Sequence, residues 1–325
     1  MKHFVALFVA IFSACTSHAL DIARPDVRKF IDDTTREFGF QREVLQRLLQ
    51  QADTKQPIID AITRPAERVV PWHEYRDRFL TSVRINQGLD FWQLHAARLQ
   101  NIPDPDLAAT VVGILGVETS FGRVTGKYRV IDALATLAFD YPPRSDFFRS
   151  ELQQFLVLTR EEAIEPTTAL GSYAGAMGAP QFISSSYRKY AVDADGDGHR
   201  DLWQNWDDII ASVANYLEAF GWRDGEPVTV PATLATEDLS AFDTSKVELN
   251  ETVRSLREKG VKFATSLPDT APALLIVGQG KDGNVYRVGF NNFFVITRYN
   301  RSPMYAMAVH DLGNAIRNFM RDAEQ

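Results

Sequence analysis

The stretch Leu107-Ala108-Ala109-Thr110-Val111-Val112-Gly113-Ile114-Leu115-Gly116-Val117-Glu118-Thr119-Ser120-Phe121-Gly122 decides how this chain is read. Its first nine residues are almost wholly apolar, which suits a segment buried on every side. It ends on a carboxylate. A carboxyl group placed at the end of such a segment loses hydration, and desolvation disfavours its ionised form. The raised pKa that follows is what a general acid near neutral pH requires. The plainer explanation is a glutamate that ends a buried helix and is paired or solvated there.

Around this segment the chain reads as mainly α. Val27, Phe30, Ile31, Thr34 and Phe38 recur at helical spacing, with Gly39 as a stop. Val44, Leu45, Leu48, Leu49 and Ala52 form a second stripe, and another helix is expected near Phe91 to Leu99. Helices are also expected over Val130–Phe139, Asp146–Glu162 and Asp207–Phe220. These stripes read as packing surface. Gly171 to Met177, rich in Gly, Ala and Ser, reads as a tight irregular loop. After Gly225 the character changes. Val228–Val230, Leu274–Val277 and Val285–Val288 read as strands, with Asp282-Gly283 as a hairpin turn between the last two. A helix near Thr252–Lys259 and a final one over Ala306–Phe319 complete the pattern.

Composition bounds the function. Hydrophobic residues make up 45% and charged residues 24%, as in an ordinary soluble domain able to bury a core. The formal charge of -7 offers no basic excess for nucleic-acid phosphates, so nucleic acid is not an expected partner. The one cysteine, Cys15, excludes an internal disulfide, and with Cys15 in the leader region a thiol nucleophile is also excluded. Lys2 and His3 precede the apolar run Phe4 to Ala14, which is too short to span a membrane and suits a signal peptide. Two processing sites fit. Ser17-His18-Ala19 permits cleavage after Ala19, giving a soluble protein; Phe12-Ser13-Ala14-Cys15 is a loose lipobox that would lipidate Cys15. The first is preferred, because Phe12 is unusual there and little tether follows Cys15. Either way the protein is exported.

The most specific short motif is Asp193-Ala194-Asp195-Gly196-Asp197-Gly198-His199-Arg200-Asp201. Carboxylates stand at positions 1, 3 and 5, Gly198 permits the sharp turn, and His199 at position 7 supplies a backbone carbonyl, as in an EF-hand loop. Hard oxygen ligands point to Ca²⁺, in a structural role. Position 12 departs from the pattern: Gln204 stands where a bidentate Glu is usual, and Asp207 or Asp208 can close a longer loop. The alternative is an acidic turn that caps the next helix without metal. No second carboxylate sits in a setting as apolar as that of Glu118. Asp132 and Asp140 both read as ordinary helix-terminal or turn residues. A mechanism with one carboxylate must therefore be considered, although glycosidases usually use two.

An ordered set of segments then resembles a known family. It comprises Gly116–Thr119, Gly171–Gly178, Pro180-Gln181-Phe182, Asp193 to Trp203, Ile296–Asn300 and Tyr305–Val309. Together they resemble the membrane-bound lytic murein transglycosylase B family, from about residue 27 to the C-terminus. The resemblance implies a lysozyme-like helical core with an extra helical region and a small β region. The expected division is a signal peptide over 1–19, an N-terminal helical region over 20–110, a catalytic core with the calcium loop over 111–225, and a β region with the terminal helix closing the cleft over 226–325. It also implies cleavage of the β-1,4 bond between N-acetylmuramic acid (MurNAc) and N-acetylglucosamine (GlcNAc) in peptidoglycan, leaving 1,6-anhydro ends.

By position, Glu118 matches the family's catalytic acid/base. Ser172, Gln181, Phe182, Tyr299, Asn300 and Tyr305 match residues that line the glycan cleft. Asp193, Asp195, Asp197, His199 and Asp208 match the Ca²⁺ loop, which favours Asp208 over Asp207. Tyrosines suit a sugar cleft because their rings meet pyranose faces and their hydroxyls meet polar groups. Without the resemblance, Tyr299 and Tyr305 would read equally as packing between a strand and the terminal helix, Ser172 and Gln181 as loop hydrogen bonding, and Phe182 as core. Ser184 departs from the proline common in the family, so a local loop change is expected. Glycan strands are the expected partner, with cell-wall synthesis enzymes as candidate protein partners, and the chain is expected to act as a monomer in the periplasm. Two alternatives remain open: a hydrolytic muramidase, whose product would be heavier by one water, and a non-catalytic calcium-dependent peptidoglycan-binding protein.

Overall fold

A computed structural model describes residues 17–64, 70–234, 238–244 and 246–323. Its central element is the helix Pro105–Thr119, in which every residue from Leu107 to Gly116 is buried. Asp104 starts it: the side chain accepts from the Asp106 N–H at 2.9 Å, and Pro105 is preset for the first helical turn. A helix apolar on all sides needs neighbours on all sides. They are the helices Ser82–Leu94, Trp206–Ala219 and Pro303–Ala323. The closest is the terminal helix. A Cβ on Gly113 would lie 2.2 Å from the Val309 carbonyl oxygen, and one on Gly313 would lie 2.1 Å from that of Ala109. Only hydrogen fits at these two places, and it lets the backbones meet directly.

The expected boundary between residues 110 and 111 falls inside this helix and is corrected. The hydrophobic run is one continuous element from Pro105, so no domain edge can divide it. The terminal helix also belongs with this core rather than with the β region. A second helical pair, Val130–Asp140 and Ser145–Glu161, packs beside it, with Pro25–Phe38 and Arg42–Leu49 further out. Where one helix was expected near Phe91–Leu99, there are two, Ser82–Leu94 and Ala96–Gln100, meeting at His95.

Residues after Gly225 build a five-stranded antiparallel sheet in the order Glu251–Thr252, Pro272–Gln279, Asn284–Gly289, Thr229–Leu234, Val261–Lys262. It has its own small core of Val253, Leu256, Leu275, Val288 and Phe290. The chain then returns to the main core through a helix, Asn291–Tyr299. Tyr299 therefore ends a helix and does not pack from a strand. The run is rich in aromatic and β-branched residues, but burial of Phe293, Val295 and Ile296 in the main core overrides that local preference.

At the start of the described chain, Ser17–Ala19 pairs antiparallel with Asp53–Lys55, and the Leu20 N–H donates to the Ala52 carbonyl at 2.9 Å. The expected cleavage after Ala19 falls at the end of this short strand. Cys15 and the apolar run before it lie outside the described residues. Among those described, no helix is long and apolar enough to cross a membrane.

Candidate active site

Glu118 is the penultimate residue of the central helix. The chain then turns sharply: Ser120 and Phe121 have φ of 52° and 60°, a left-handed conformation that costs a side-chain-bearing residue energy. Thr119 holds the turn. Its hydroxyl donates to the Ala179 carbonyl at 2.8 Å and accepts from the Gly122 N–H at 3.0 Å. The helix end is thereby tied to the loop that carries Gln181. On the far side the Tyr305 hydroxyl donates to Glu118 Oε1 at 2.7 Å. Burial pushes the Glu118 carboxyl up to about 7, against the pull of that hydrogen bond. Tyr305 itself is buried, and its phenol is raised well above the ordinary value by burial and by the neighbouring Glu118.

Glu118 opens on a cavity of about 490 Å³. Ser172, Gln181, Phe182, Tyr299 and Asn300 line the same cavity. Ser172 Oγ accepts from the Ala174 and Ala176 N–H groups at 3.2 and 3.0 Å. It thus shapes the Gly-rich loop and keeps its proton to donate. Gln181 has φ 55°, and its Nε2 donates to the carbonyls of Thr125 and Gly178 at 3.0 and 2.9 Å. Its amide oxygen is the group left to meet a ligand. Phe182 is only 2% exposed and packs against the rings of Tyr216 and Tyr299, at centroid distances of 5.5 and 5.8 Å. It supports the tyrosines from behind. The Tyr299 hydroxyl donates to the Pro180 carbonyl at 2.6 Å. Asn300 stays exposed at the rim.

Among the cavity residues not singled out from the sequence are Tyr173, Tyr216 and Arg298. Tyr173 is 40% exposed and lines the cavity beside Ser172. Tyr216 and Arg298 sit on helices whose apolar periodicity masks them. A second cavity of about 530 Å³ shares Ser172, Tyr173 and Gln181 with the first and extends the cleft toward Arg123 and Lys127.

No Asp or Glu other than Glu118 lines the cavity among the described residues. The two other carboxylates weighed from sequence are structural. Asp132 is fully buried between Lys55 and Arg129, at 2.5 and 2.7 Å, and Asp140 pairs with Arg24 at 2.7 Å.

The acidic loop gathers one carboxylate oxygen from each of Asp193, Asp195 and Asp197 within 4.8 Å of one another. Three hard, mostly exposed oxygen donors so close together fit a Ca²⁺ ion. Asp207 is turned elsewhere, clamping the Arg98 guanidinium at 2.5 and 2.8 Å. Asp208 is fully buried beneath the loop and is not gathered into the cluster. Its oxygens accept from the Ala194 and Asp201 N–H groups at 2.8 and 2.7 Å. Burial raises its pKa, and the negative charges of Asp195 and Asp193 nearby add to this.

A carboxyl raised to about 7 in an aromatic, hydrogen-bonding cleft suits an enzyme that acts on glycans. The transglycosylase SLT domain model matches residues 23–314, and the chain belongs to that family: it is a lytic transglycosylase. It is 39% identical to membrane-bound lytic murein transglycosylase B of Escherichia coli (strain K12) over 90% of this chain and 82% of that protein. Soluble lytic transglycosylase SltB1 of Pseudomonas aeruginosa has a similar structure, at 48% identity and a TM-score of 0.87, over 91% of this chain and 99% of that one. The Escherichia coli lytic transglycosylase Slt35, solved in complex with calcium, follows at 37% identity and a TM-score of 0.83, over 93% and 96%. SltB3 of Pseudomonas aeruginosa, solved with NAG-NAM-pentapeptide, is 30% identical, with a TM-score of 0.76 over 89% and 79%.

Proposed function

We propose that this protein cleaves the β-1,4 MurNAc–GlcNAc bond of peptidoglycan strands and leaves 1,6-anhydroMurNAc ends, with Glu118 as the only protein acid and base. The observation that carries this reading is the isolation of Glu118: a carboxyl raised to about 7 in a cavity that no second carboxylate among the described residues lines. Relatives named for murein, and one solved with a muramyl peptide, support the substrate class.

Neutral Glu118 gives its proton to the glycosidic oxygen as the C1–O bond breaks, and GlcNAc leaves with a C4 hydroxyl. The substrate's N-acetyl oxygen supports the positive charge at C1. Ionised Glu118 then takes the proton of the C6 hydroxyl of the same MurNAc, and that oxygen closes on C1. The acid is restored with no water consumed. A tethered hydroxyl has a large effective concentration relative to free water, so ring closure is preferred. Tyr305 holds the carboxyl in place through both steps.

The acidic loop is a structural Ca²⁺ site in this reading. Asp193, Asp195, Asp197 and the His199 carbonyl hold the ion, while Asp208, expected as a further ligand, braces the loop from beneath through the Ala194 and Asp201 N–H groups; the ion rigidifies the loop ahead of the Trp206–Ala219 helix. The relative solved with calcium supports this. The protein acts in the periplasm as a monomer. Attachment to the outer membrane fits the relative named as membrane-bound, and free solution fits the relative named as soluble.

Digestion of sacculi in ¹⁸O-labelled water tests the reaction. Anhydro ends without label are expected. Reducing ends carrying ¹⁸O would make water the nucleophile and the enzyme a hydrolase.

A further inference from the structure

Among the described residues most half-buried arginines meet a carboxylate; Arg84, which donates to the Gly116 carbonyl instead, and Arg298 do not. Arg129, Arg200, Arg287 and Arg317 each meet a carboxylate. Arg298 lines the Glu118 cavity and meets none among the described residues. Its Nη2 donates to Thr297 Oγ1 at 2.9 Å, and its guanidinium lies over the Phe294 ring at 4.1 Å. Its Nε is buried with no hydrogen-bond partner among the described residues, as is that of Arg317, but only Arg298 also lacks a carboxylate on its other nitrogens. A buried guanidinium N–H left unmatched is costly unless a ligand completes it. Burial lowers the pKa of Arg298, and the positive charge of Arg301 lowers it further. An anion at this place would relieve both effects. Two more cations, Arg123 and Lys127, line the adjoining part of the cleft. The net charge of the chain is -7, so this cationic lining is local to the cleft.

A glycan backbone is neutral and gives these cations nothing to pair with. The stem peptide of a muramyl unit does carry charge, at its C-terminal carboxylate at least. It is joined to the same sugar whose C1 must reach Glu118, so it has to leave through this cleft. We propose that Arg298 is a specificity-determining residue that pairs with a stem-peptide carboxylate, so that the enzyme selects peptide-bearing strands over stripped glycan. Planar guanidinium geometry suits a carboxylate better than a lysine ammonium does. This inference rests on the substrate class proposed above.

Calorimetric binding needs no turnover and separates the two readings. NAG-NAM-pentapeptide, its carboxyl-amidated form and the peptide-free NAG-NAM disaccharide are titrated into wild type, Arg298→Gln and Arg298→Lys. For Arg298→Gln the pentapeptide Kd should rise about tenfold, the Kd of the disaccharide several times less, and Arg298→Lys should fall between. Added salt should weaken wild-type binding of the pentapeptide more than that of the disaccharide. Amidation of the peptide should weaken binding to wild type itself, a test that no folding defect can imitate. Equal weakening of both ligands by Arg298→Gln, or indifference of wild type to amidation, overturns the role of Arg298. Failure of both muramyl ligands to bind wild type overturns the substrate reading and this inference with it.

Discussion

Tyr305 and Glu118 lie 187 residues apart in sequence and 2.7 Å apart in space, the phenol donating to the carboxylate. The contact exists because the helices that carry them cross at Gly113 and Gly313, where no Cβ intervenes. A hydrogen bond to the ionised form lowers a carboxyl pKa, so Tyr305 moderates the rise that burial imposes on Glu118. The pair therefore sets both the position and the protonation of the acid.

Removing the hydroxyl should separate those effects. In Tyr305→Phe the Glu118 pKa should rise further, because burial remains and the opposing bond is gone. The acid must be neutral to start the reaction, so kcat/KM should fall as pH climbs through about 7 in wild type. In Tyr305→Phe that basic limb should move to higher pH, with the plateau rate about tenfold lower from loss of positioning. A pH–rate profile on purified sacculi measures both. A limb that moves to lower pH would mean Tyr305 does not act on Glu118 in this way.

Glu118→Gln should lower cleavage by about 10³-fold, since an amide cannot give up and retrieve a proton. Its effect on stability depends on pH. The folded pKa of Glu118, about 7, lies above its ordinary value of 4.5, so the native state holds this proton more tightly than the unfolded chain does. The stability that results is fully present below pH 4.5 and is lost as pH rises through about 7. Glu118→Gln should therefore raise Tm by a few degrees at pH 8 and change it little at pH 4. Calorimetry at the two values gives the answer, and an equal shift at both would leave the burial account without support.

Gly113→Ala should cost about 1–3 kcal/mol, because the added methyl meets the backbone oxygen of Val309 at 2.2 Å and backbone cannot turn aside. The helices must part, and Tyr305 withdraws from Glu118 as they do. Residual cleavage should then fall more than the loss of folded protein explains. Urea titration with a turnover assay on the same samples separates stability from activity.

Much of this was legible in the sequence, for physical reasons that differ from residue to residue. Glu118 stood out because one carboxylate ends a long apolar run. The Asp193–Asp201 loop stood out because alternating carboxylates and glycines have few other uses. The helix Asn291–Tyr299 was hidden, since its aromatic and β-branched residues favour a strand until the main core buries them. Tyr305 entered only through the family resemblance, because a single tyrosine near a helix start carries no periodic signal. Arg298 was missed altogether. An arginine in sequence reads as a solvated charge, and only the structure displays its want of an acidic partner.

The calcium loop offers a test that tells a ligand from a brace. Asp193 is half-buried at the loop's edge, and its oxygens accept from the Gly196 and Gly198 N–H groups at 2.8 and 2.9 Å. Asp208 is fully buried and holds the Ala194 and Asp201 N–H groups. Added Ca²⁺ should raise the Tm of metal-free protein, because a ligand that binds only the native state stabilises it. Asp193→Ala should abolish most of that rise while lowering the Tm of the metal-free protein little. Asp208→Ala should abolish the rise and also lower the metal-free stability by about 1–2 kcal/mol, since it leaves two part-buried N–H groups without their acceptor. Calorimetry in EDTA and in millimolar Ca²⁺ resolves the two effects. Identical melting curves for wild type in both conditions would reduce the loop to an acidic cap on the Trp206–Ala219 helix.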